Sequence, residues 1–352
     1  MKRFLLKLSI FLSPILLLLI ITAFFVPVNA YYFRLWESLQ PKKFFNYFSG
    51  PFYPSMNITM TEKGDLAPHT DLAVAKDVTW QTDRYGYRTT NANDYYDIVI
   101  VGDSNIVGTG LTQSDILSEV LARQTGLSVY PYAPRTMEDF LQDPRFVEHQ
   151  PKLVIYTQIE RSLSGTPDPE RQVTKKTSAY QLLNNLKLNS LFSSAMTLLD
   201  RSFDPVTLLY LKKVVTGKET PPSYAYAAGQ ILFLQGGSAN LAVSSEQIRR
   251  SSETIIKYRK ALQDRGITMI FLPIPNKENI YYKLLPIGQK PEFLSLLITE
   301  LKKNSVDMVD SQALFTESYE KDGLKLYHND DTHWNANGVK AVANALFLML
   351  NK

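Results

Sequence analysis

From Asp97 onward, short continuous apolar runs alternate with longer stretches of helical spacing. Ile98-Val99-Ile100-Val101 is an unbroken apolar run, as expected for a strand buried on both faces. Ser128–Tyr132, Leu153–Ile159, Ile267–Leu272 and Val306–Val309 read as further strands. The stretches between them read as helices. One opens at Thr112-Gln113-Ser114-Asp115, which resembles a capping box, and ends near Gly126. Met137–His149 has helical character that Pro144 must break or kink. Glu246–Asp264 is a long amphipathic helix stopped by Gly266, Pro291–Lys303 is helical, and Ala336–Leu350 is a terminal helix. Strands alternating with helices predict an α/β domain whose parallel sheet is covered on both faces, a three-layer architecture. Residues 165–243 interrupt the rhythm with a helical stretch (Tyr180–Leu199) and a Gly- and Pro-rich part (Pro221 to Gly237). They read as an insertion or cap on the sheet.

The N-terminus follows a different pattern. Lys2, Arg3 and Lys7 precede an apolar stretch from about Leu8 to Val28. Roughly 20 apolar residues span a bilayer as a helix. The basic flank predicts a cytoplasmic N-terminus and a translocated remainder. The stretch reads as an uncleaved transmembrane anchor. The alternative is a signal peptide cleaved near Val28-Asn29-Ala30, although the apolar run exceeds the usual cleavable core. Either way the main domain is expected outside the cytoplasm, periplasmic or at the cell surface. Residues 31–60 are rich in aromatics and proline, among them Tyr31, Tyr32, Phe33, Trp36, Phe44 and Pro51. They read as membrane-proximal, since Trp and Tyr favour the interface, or as packing on the domain. The expected division is an anchor or signal over 1–30, a linker with short strands over 31–83, and the main domain over 84–352, with the insertion at about 165–243.

Composition removes several function classes. The net charge is only +4 and no basic run appears, so no nucleic-acid partner is expected. The absence of cysteine excludes disulfides, thiol nucleophiles and cysteine metal sites. Four histidines remain as candidate bases or ligands: His69, His149, His328 and His333.

Ligands of open parallel sheets bind at the carboxyl ends of the strands. Gly102-Asp103-Ser104 lies at such an end, where a glycine permits a sharp turn and a backbone N–H can stabilise an oxyanion. The tripeptide is short and made of common residues. A second motif, Tyr327-His328-Asn329-Asp330-Asp331-Thr332-His333-Trp334-Asn335, precedes the last helix. A serine nucleophile needs a base, and the base needs a carboxylate to hold its tautomer. His333 with Asp331 or Asp330 supplies both within one loop. A metal site on His328, His333 and the two aspartates would lack an i,i+4 pair or carboxylate cluster, so neither metal nor cofactor is expected.

The two motifs resemble the SGNH (GDSL) hydrolase superfamily. The form Asp331-Thr332-His333-Trp334 is similar to the variant seen in the alginate O-acetylation proteins. Pro273-Ile274-Pro275-Asn276-Lys277 followed by Ile280-Tyr281 resembles the Pro-x-Lys…Tyr segment of those proteins. Glu160-Arg161 resembles a pair found in SGNH-like envelope proteins. The resemblance spans roughly residues 84–350. It departs from the pattern in three ways. The serine motif precedes the Asp-His motif, whereas it follows it in the alginate proteins. The second-block glycine is not evident near Ala133-Pro134-Arg135-Thr136. The third-block asparagine is replaced in the region of Gln158 to Arg161.

The resemblance implies a flavodoxin-like three-layer fold and serine-dependent acyl chemistry, an O-acetyl group moved to or from a cell-envelope polysaccharide. A membrane-bound acyl donor protein would be its partner. Ser104 would be nucleophile, His333 base and Asp331 its carboxylate, with Asp330 the alternative. Ser104 N–H and Arg161 or Asn105 would face the oxyanion. Lys277 would contact an anionic sugar or cap a strand end. The competing expectation is a non-catalytic glycan-binding or scaffold subunit of an envelope polysaccharide assembly machine.

Overall fold

The computed structural model describes residues 2–26, 34–41, 49–66, 68, 71–91, 93–163, 189–202, 212, 214–217, 226–234, 243–287 and 289–351. Its centre is a four-stranded parallel sheet. A hairpin of β1 (Asn57–Glu62) and β2 (Lys76–Gln81) precedes the sheet strands β3 (Ile98–Val101), β4 (Val129–Tyr132) and β5 (Leu153–Ile159). A small antiparallel pair follows, β6 (Tyr226–Ala228) and β7 (Ile231–Phe233), and then the last sheet strand, β8 (Thr268–Ile274). The sheet order is β4-β3-β5-β8, with Ile98 opposite both Val129 and Leu153, and Leu153 opposite Thr268. All four residues of β3 are buried because helices cover both faces. On one face Ile98, Ile100, Ile155 and Leu272 pack with residues of the helices Leu117–Thr125 and Ala336–Leu350. On the other, Val99, Val101, Tyr156 and Phe271 pack with the helices Ser245–Gln263 and Phe293–Lys303. This is the expected three-layer α/β fold.

Two local expectations are corrected, and one further element is found. Val306–Val309 forms no strand; it makes a single bridge, Phe271 to Met308. Phe271 N–H donates to Asp307 and its carbonyl accepts from Val309. Two residues on, the same edge of β8 carries Pro273, which has no N–H to continue the ladder. The Thr112 capping box does not form either, because the Thr112 hydroxyl bonds Thr79 of β2, accepting from its N–H at 3.1 Å and lying 2.8 Å from its Oγ1. The helix begins only at Leu117, and Gly126 ends it. A helix at Ser311–Asp322 was not evident from the apolar pattern. Its buried residues are Ser311, Gln312 and Phe315, so no apolar stripe marks it, although Asp310 caps one end and Gly323 the other.

Pro144 breaks the expected helix into Met137–Gln142 and Pro144–Glu148, with Asp143 serving both ends. Lys2–Phe24 is a helix, and its segment Lys2–Thr22 is long and apolar enough to cross a membrane; a signal sequence has the same character. Within 31–60, Tyr31, Tyr32, Phe33 and Phe44 lie outside the described residues, whereas Phe52 and Tyr53 are fully buried in the domain core. Most of the 165–243 segment is likewise outside them; a helix at Ser190–Ser202 and the β6–β7 pair are described.

Candidate active site

β3 ends at Val101, and the chain turns through Gly102 and Asp103 into a short helix whose first residue is Ser104. Gly102 is required by close packing, since a Cβ there would sit 2.0 Å from Thr157 Oγ1 of β5. Asp103 fixes the turn with both carboxylate oxygens. One accepts from Asn105 N–H at 2.8 Å, the other from Ile159 N–H at 2.9 Å, which ties the serine turn to the end of β5. Ser104 is therefore held at the carboxyl edge of the sheet with its hydroxyl half-exposed. As the first helical residue it keeps a free N–H, which makes no hydrogen bond among the described residues.

The second motif approaches from the opposite end of the chain. His328 N–H donates to the His333 carbonyl, and Asn335 N–H donates to Leu326, closing residues 327–334 into a tight loop. The Asn335 side chain caps the terminal helix, and the Trp334 indole N–H donates to the Asn105 carbonyl at 3.1 Å. These contacts bring His333 Nε2 to 2.7 Å from Ser104 Oγ. Asp331 Oδ1 sits 2.5 Å from His333 Nδ1 and also accepts His333 N–H at 2.9 Å. His333 and Asp331 are buried; the serine faces the open side. Burial opposes charging the imidazole, but Asp331, by charge and hydrogen bond, raises its pKa above the ordinary histidine value. Burial would raise the Asp331 pKa, and His333 outweighs it, holding the carboxyl below its usual range.

The remaining predicted residues are placed as follows. Asp330 points away from His333: Oδ2 accepts from Gly64 N–H and Val74 N–H, each at 2.8 Å, and Oδ1 pairs with Lys76 at 2.7 Å. Lys277 faces the underside of the loop, where its ammonium donates to the carbonyls of His328 (2.6 Å), Asn329 (3.0 Å) and Asp331 (3.0 Å). A sugar contact is thereby overturned for Lys277, because its three donors are spent on backbone; burial lowers its pKa to about 8. Tyr281 of the same segment accepts Leu326 N–H through its hydroxyl at 2.9 Å. The Pro273–Tyr281 segment thus builds the histidine loop. Asn105 is also corrected as an oxyanion donor: it is buried, and its side-chain amide donates back to Asp103 at 3.1 Å. Glu160 accepts from Asn276 N–H at 2.8 Å and from the Asn279 amide at 3.1 Å, joining β5 to the 276–279 turn. The Arg161 guanidinium is half-buried, makes no hydrogen bond among the described residues, and its charge opposes protonation of His333. Of the candidates for a second oxyanion donor, Arg161 alone has a side chain that stays uncommitted among the described residues. Beside the serine turn, Gly102, Arg135, Glu138, Gln158 and Tyr258 line a cavity of about 370 Å³.

One residue of the site carried no signal in the sequence. Asp65, in the turn between β1 and β2, accepts from Thr332 N–H at 2.9 Å and Thr332 Oγ1 at 2.7 Å, and lies 3.9 Å from His333 Nδ1. Nothing short of the fold joins positions 65 and 333. Oxygens of Asp65 and Asp331 and Nδ1 of His333 lie within 4.8 Å of one another, the closeness of a hydrogen-bonded cluster.

The site thus joins a serine after the first strand of a parallel α/β sheet to an Asp-His loop before the last helix, the arrangement of a serine–histidine–aspartate triad. Residues 229–352 match the family model described as SGNH hydrolase-like domain, acetyltransferase AlgX, and over that segment the chain is AlgX-like. The match covers Asp331 and His333 but not Ser104. Among solved structures, a proposed acylhydrolase from Bacteroides fragilis NCTC 9343 aligns at 12% identity and a TM-score of 0.34, over 72% of this chain and 86% of that one. Another aligns at 12% identity and a TM-score of 0.29, over 74% of this chain and 98% of that one. No curated protein matches.

Proposed function

We propose that this protein moves an acyl group, acetyl in the preferred reading, to or from a cell-envelope polysaccharide on the outer side of a membrane. The observation that carries the reading is the hydrogen-bonded chain from Ser104 Oγ through His333 to Asp331. In the first half-reaction Ser104 Oγ attacks the acyl carbonyl carbon while His333 Nε2 takes its proton. The carbonyl oxygen becomes an oxyanion facing Ser104 N–H and the Arg161 guanidinium. Collapse breaks the bond to the donor's leaving group, which departs with the proton from His333, and an acyl-serine remains. In the second half a sugar hydroxyl, or water, gives its proton to His333 and bonds the acyl carbon, and the ester to Ser104 breaks as the proton returns.

Transfer is preferred over hydrolysis because of the Asp-Thr-His-Trp form, the AlgX-like segment and the apolar N-terminal helix. The basic residues before that helix support an extracytoplasmic domain. Cytoplasmic thioester donors do not reach that side, so a membrane-bound protein must deliver the acyl group.

The test is covalent labelling by a fluorophosphonate together with glycan acetylation in cells. Wild-type protein labels; Ser104→Ala and His333→Ala lower labelling at least about 10³-fold, and Ser104→Ala cells lose the acetyl ester. Full acetylation with Ser104→Ala overturns the reading. A non-catalytic glycan-binding subunit is favoured by one observation, the commitment of the Asn105 amide to Asp103 in a chain that lacks the second-block glycine and third-block asparagine. It predicts that the folded protein does not label.

A further inference from the structure

Asp331 is not the sole carboxylate behind His333. Asp65 Oδ2 lies 3.9 Å from His333 Nδ1, on the side of the ring away from Ser104. Asp65 also shapes the loop: its N–H donates to Asp331 Oδ2 at 3.2 Å, and its two oxygens accept from the backbone and hydroxyl of Thr332. The flanking residues hold it there. Gly64 N–H and Leu66 N–H donate to the side chain and carbonyl of Asp330. A Cβ at Gly64 would lie 2.0 Å from the Asp330 carbonyl oxygen, so this approach demands glycine. On its outer side Asp65 meets Arg34, 3.5 Å away and just before the helix Leu35–Leu39.

We propose that Asp65 is a positioning residue of the acyl-transfer site, holding Asp331 and Thr332 in register with His333 and adding a second negative charge to stabilise the imidazolium. The inference rests on the acyl-transfer reading above. Its consequence is that the segment between the apolar N-terminal helix and the sheet belongs to the working site and is more than a tether. The geometry agrees with the electrostatics: Asp65 raises the His333 pKa, second to Asp331 among its carboxylates. Burial and then the charge of Asp331 raise the Asp65 carboxyl in turn. Among the described residues, the other charged or titratable groups facing this pair are His328 on the loop, Arg161 at the end of β5, Lys277 beneath the loop and Arg34.

The experiment uses the full chain in detergent. It measures the fluorophosphonate labelling rate against pH, kcat and KM for 4-nitrophenyl acetate, and thermal stability, for wild type, Ser104→Ala, Asp65→Asn, Asp65→Glu and Arg34→Gln. Asp65→Asn is expected to lower labelling and kcat about 10- to 100-fold with KM within about two-fold. It also moves the acid limb of the profile to lower pH, because His333 loses a neighbouring negative charge. Asp65→Glu restores the limb and part of the rate. A folded Asp65→Asn protein with rate and limb unchanged overturns the proposal. If Asp65→Asn does not fold, Arg34→Gln decides: unmasking the Asp65 charge must move the limb to higher pH, and an unmoved limb overturns the proposal. Ser104→Ala separates the two readings. If it labels like wild type, acyl transfer itself fails; if it is inert while the Asp65 variants match wild type, only this inference fails.

Discussion

Asp330 and Asp331 are adjacent, identical in side chain and both sealed from water, yet the two sides of the loop use them differently. Asp330 turns toward the β1–β2 turn and is satisfied by two backbone N–H groups and one lysine. Those partners are rigid or already charged, so the carboxylate does the work of a structural clasp. Asp331 turns toward the sheet edge and meets a histidine whose other nitrogen touches a half-exposed hydroxyl. Its partner can gain and lose a proton, and that makes the same chemical group a component of the proposed reaction. The difference lies in what each carboxylate faces, since burial and charge are matched. The way to break the comparison is to exchange the effects: one aspartate should govern rate and pH dependence, the other stability.

The largest expected effect is on Asp331. Asp331→Asn keeps the size of the side chain but removes the charge and leaves His333 free to adopt the wrong tautomer. Fluorophosphonate labelling should fall about 10²- to 10⁴-fold with the fold retained. The sign of the pH effect follows from the raised His333 pKa. In the proposed mechanism His333 must be neutral to act as base, so wild-type labelling is expected to rise as pH climbs through that raised value. Without Asp331 the imidazole loses its proton at lower pH, and the acid limb moves down. A loss under ten-fold with an unmoved limb would mean Asp331 does no more for the reaction than Asp330.

Asp330→Ala should act on stability. It leaves the buried Gly64 N–H and the partly buried Val74 N–H without their acceptor, at about 1–3 kcal/mol for each unsatisfied buried group, while Lys76 keeps the Val74 carbonyl. Thermal or denaturant unfolding measures this, and labelling per folded molecule should stay within about ten-fold of wild type. A thousand-fold loss of labelling with unchanged unfolding would reverse the assignment of the two aspartates.

The sequence made one half of this comparison readable. Ile98–Val101 and Leu153–Ile159 were legible because strands buried on both faces are continuous apolar runs, and Ser104 and His333 because each lies at a strand end or ahead of a helix. The preference for Asp331 came from the resemblance of Asp331-Thr332-His333-Trp334 to the alginate O-acetylation variant. What stayed hidden was set by contacts across long chain separations. Asp65 sits in a turn without a motif, and the pairing of β1 with β2, the clasp of Asp330 and its own bonds to Thr332 and Asp331 carry it to the histidine. Lys277 was legible as a motif residue but not as a backbone donor, since the direction of a lysine depends on which carbonyls surround it. The missed helix at Ser311–Asp322 and the overread strand at Val306–Val309 share a cause: buried polar residues and a proline on the neighbouring strand decided them, and apolar periodicity registers neither.

The smallest effect tests whether the two sides of the loop are separable. Lys76→Met removes one of three partners from Asp330 while keeping an apolar stem of similar length, and the two N–H donors remain. The expected cost is about 1–3 kcal/mol at pH 7.5. Lys76 also helps keep His328 neutral. Burial chiefly, and the Lys76 charge in part, lower the His328 pKa to about 4 from an ordinary 6.5. Between those values the unfolded chain binds a proton that the folded chain refuses, so this histidine makes stability fall as pH drops. Removing Lys76 lets folded His328 accept its proton at somewhat higher pH and makes that fall shallower. The stability gap between Lys76→Met and wild type should therefore be narrower at pH 5 than at pH 7.5, while the acid limb of labelling stays in place. A gap that widens on acidification would refute the role given to Lys76. A limb that moves would show that the charge on the Asp330 side reaches His333, and the division of labour between the two aspartates would have to be given up.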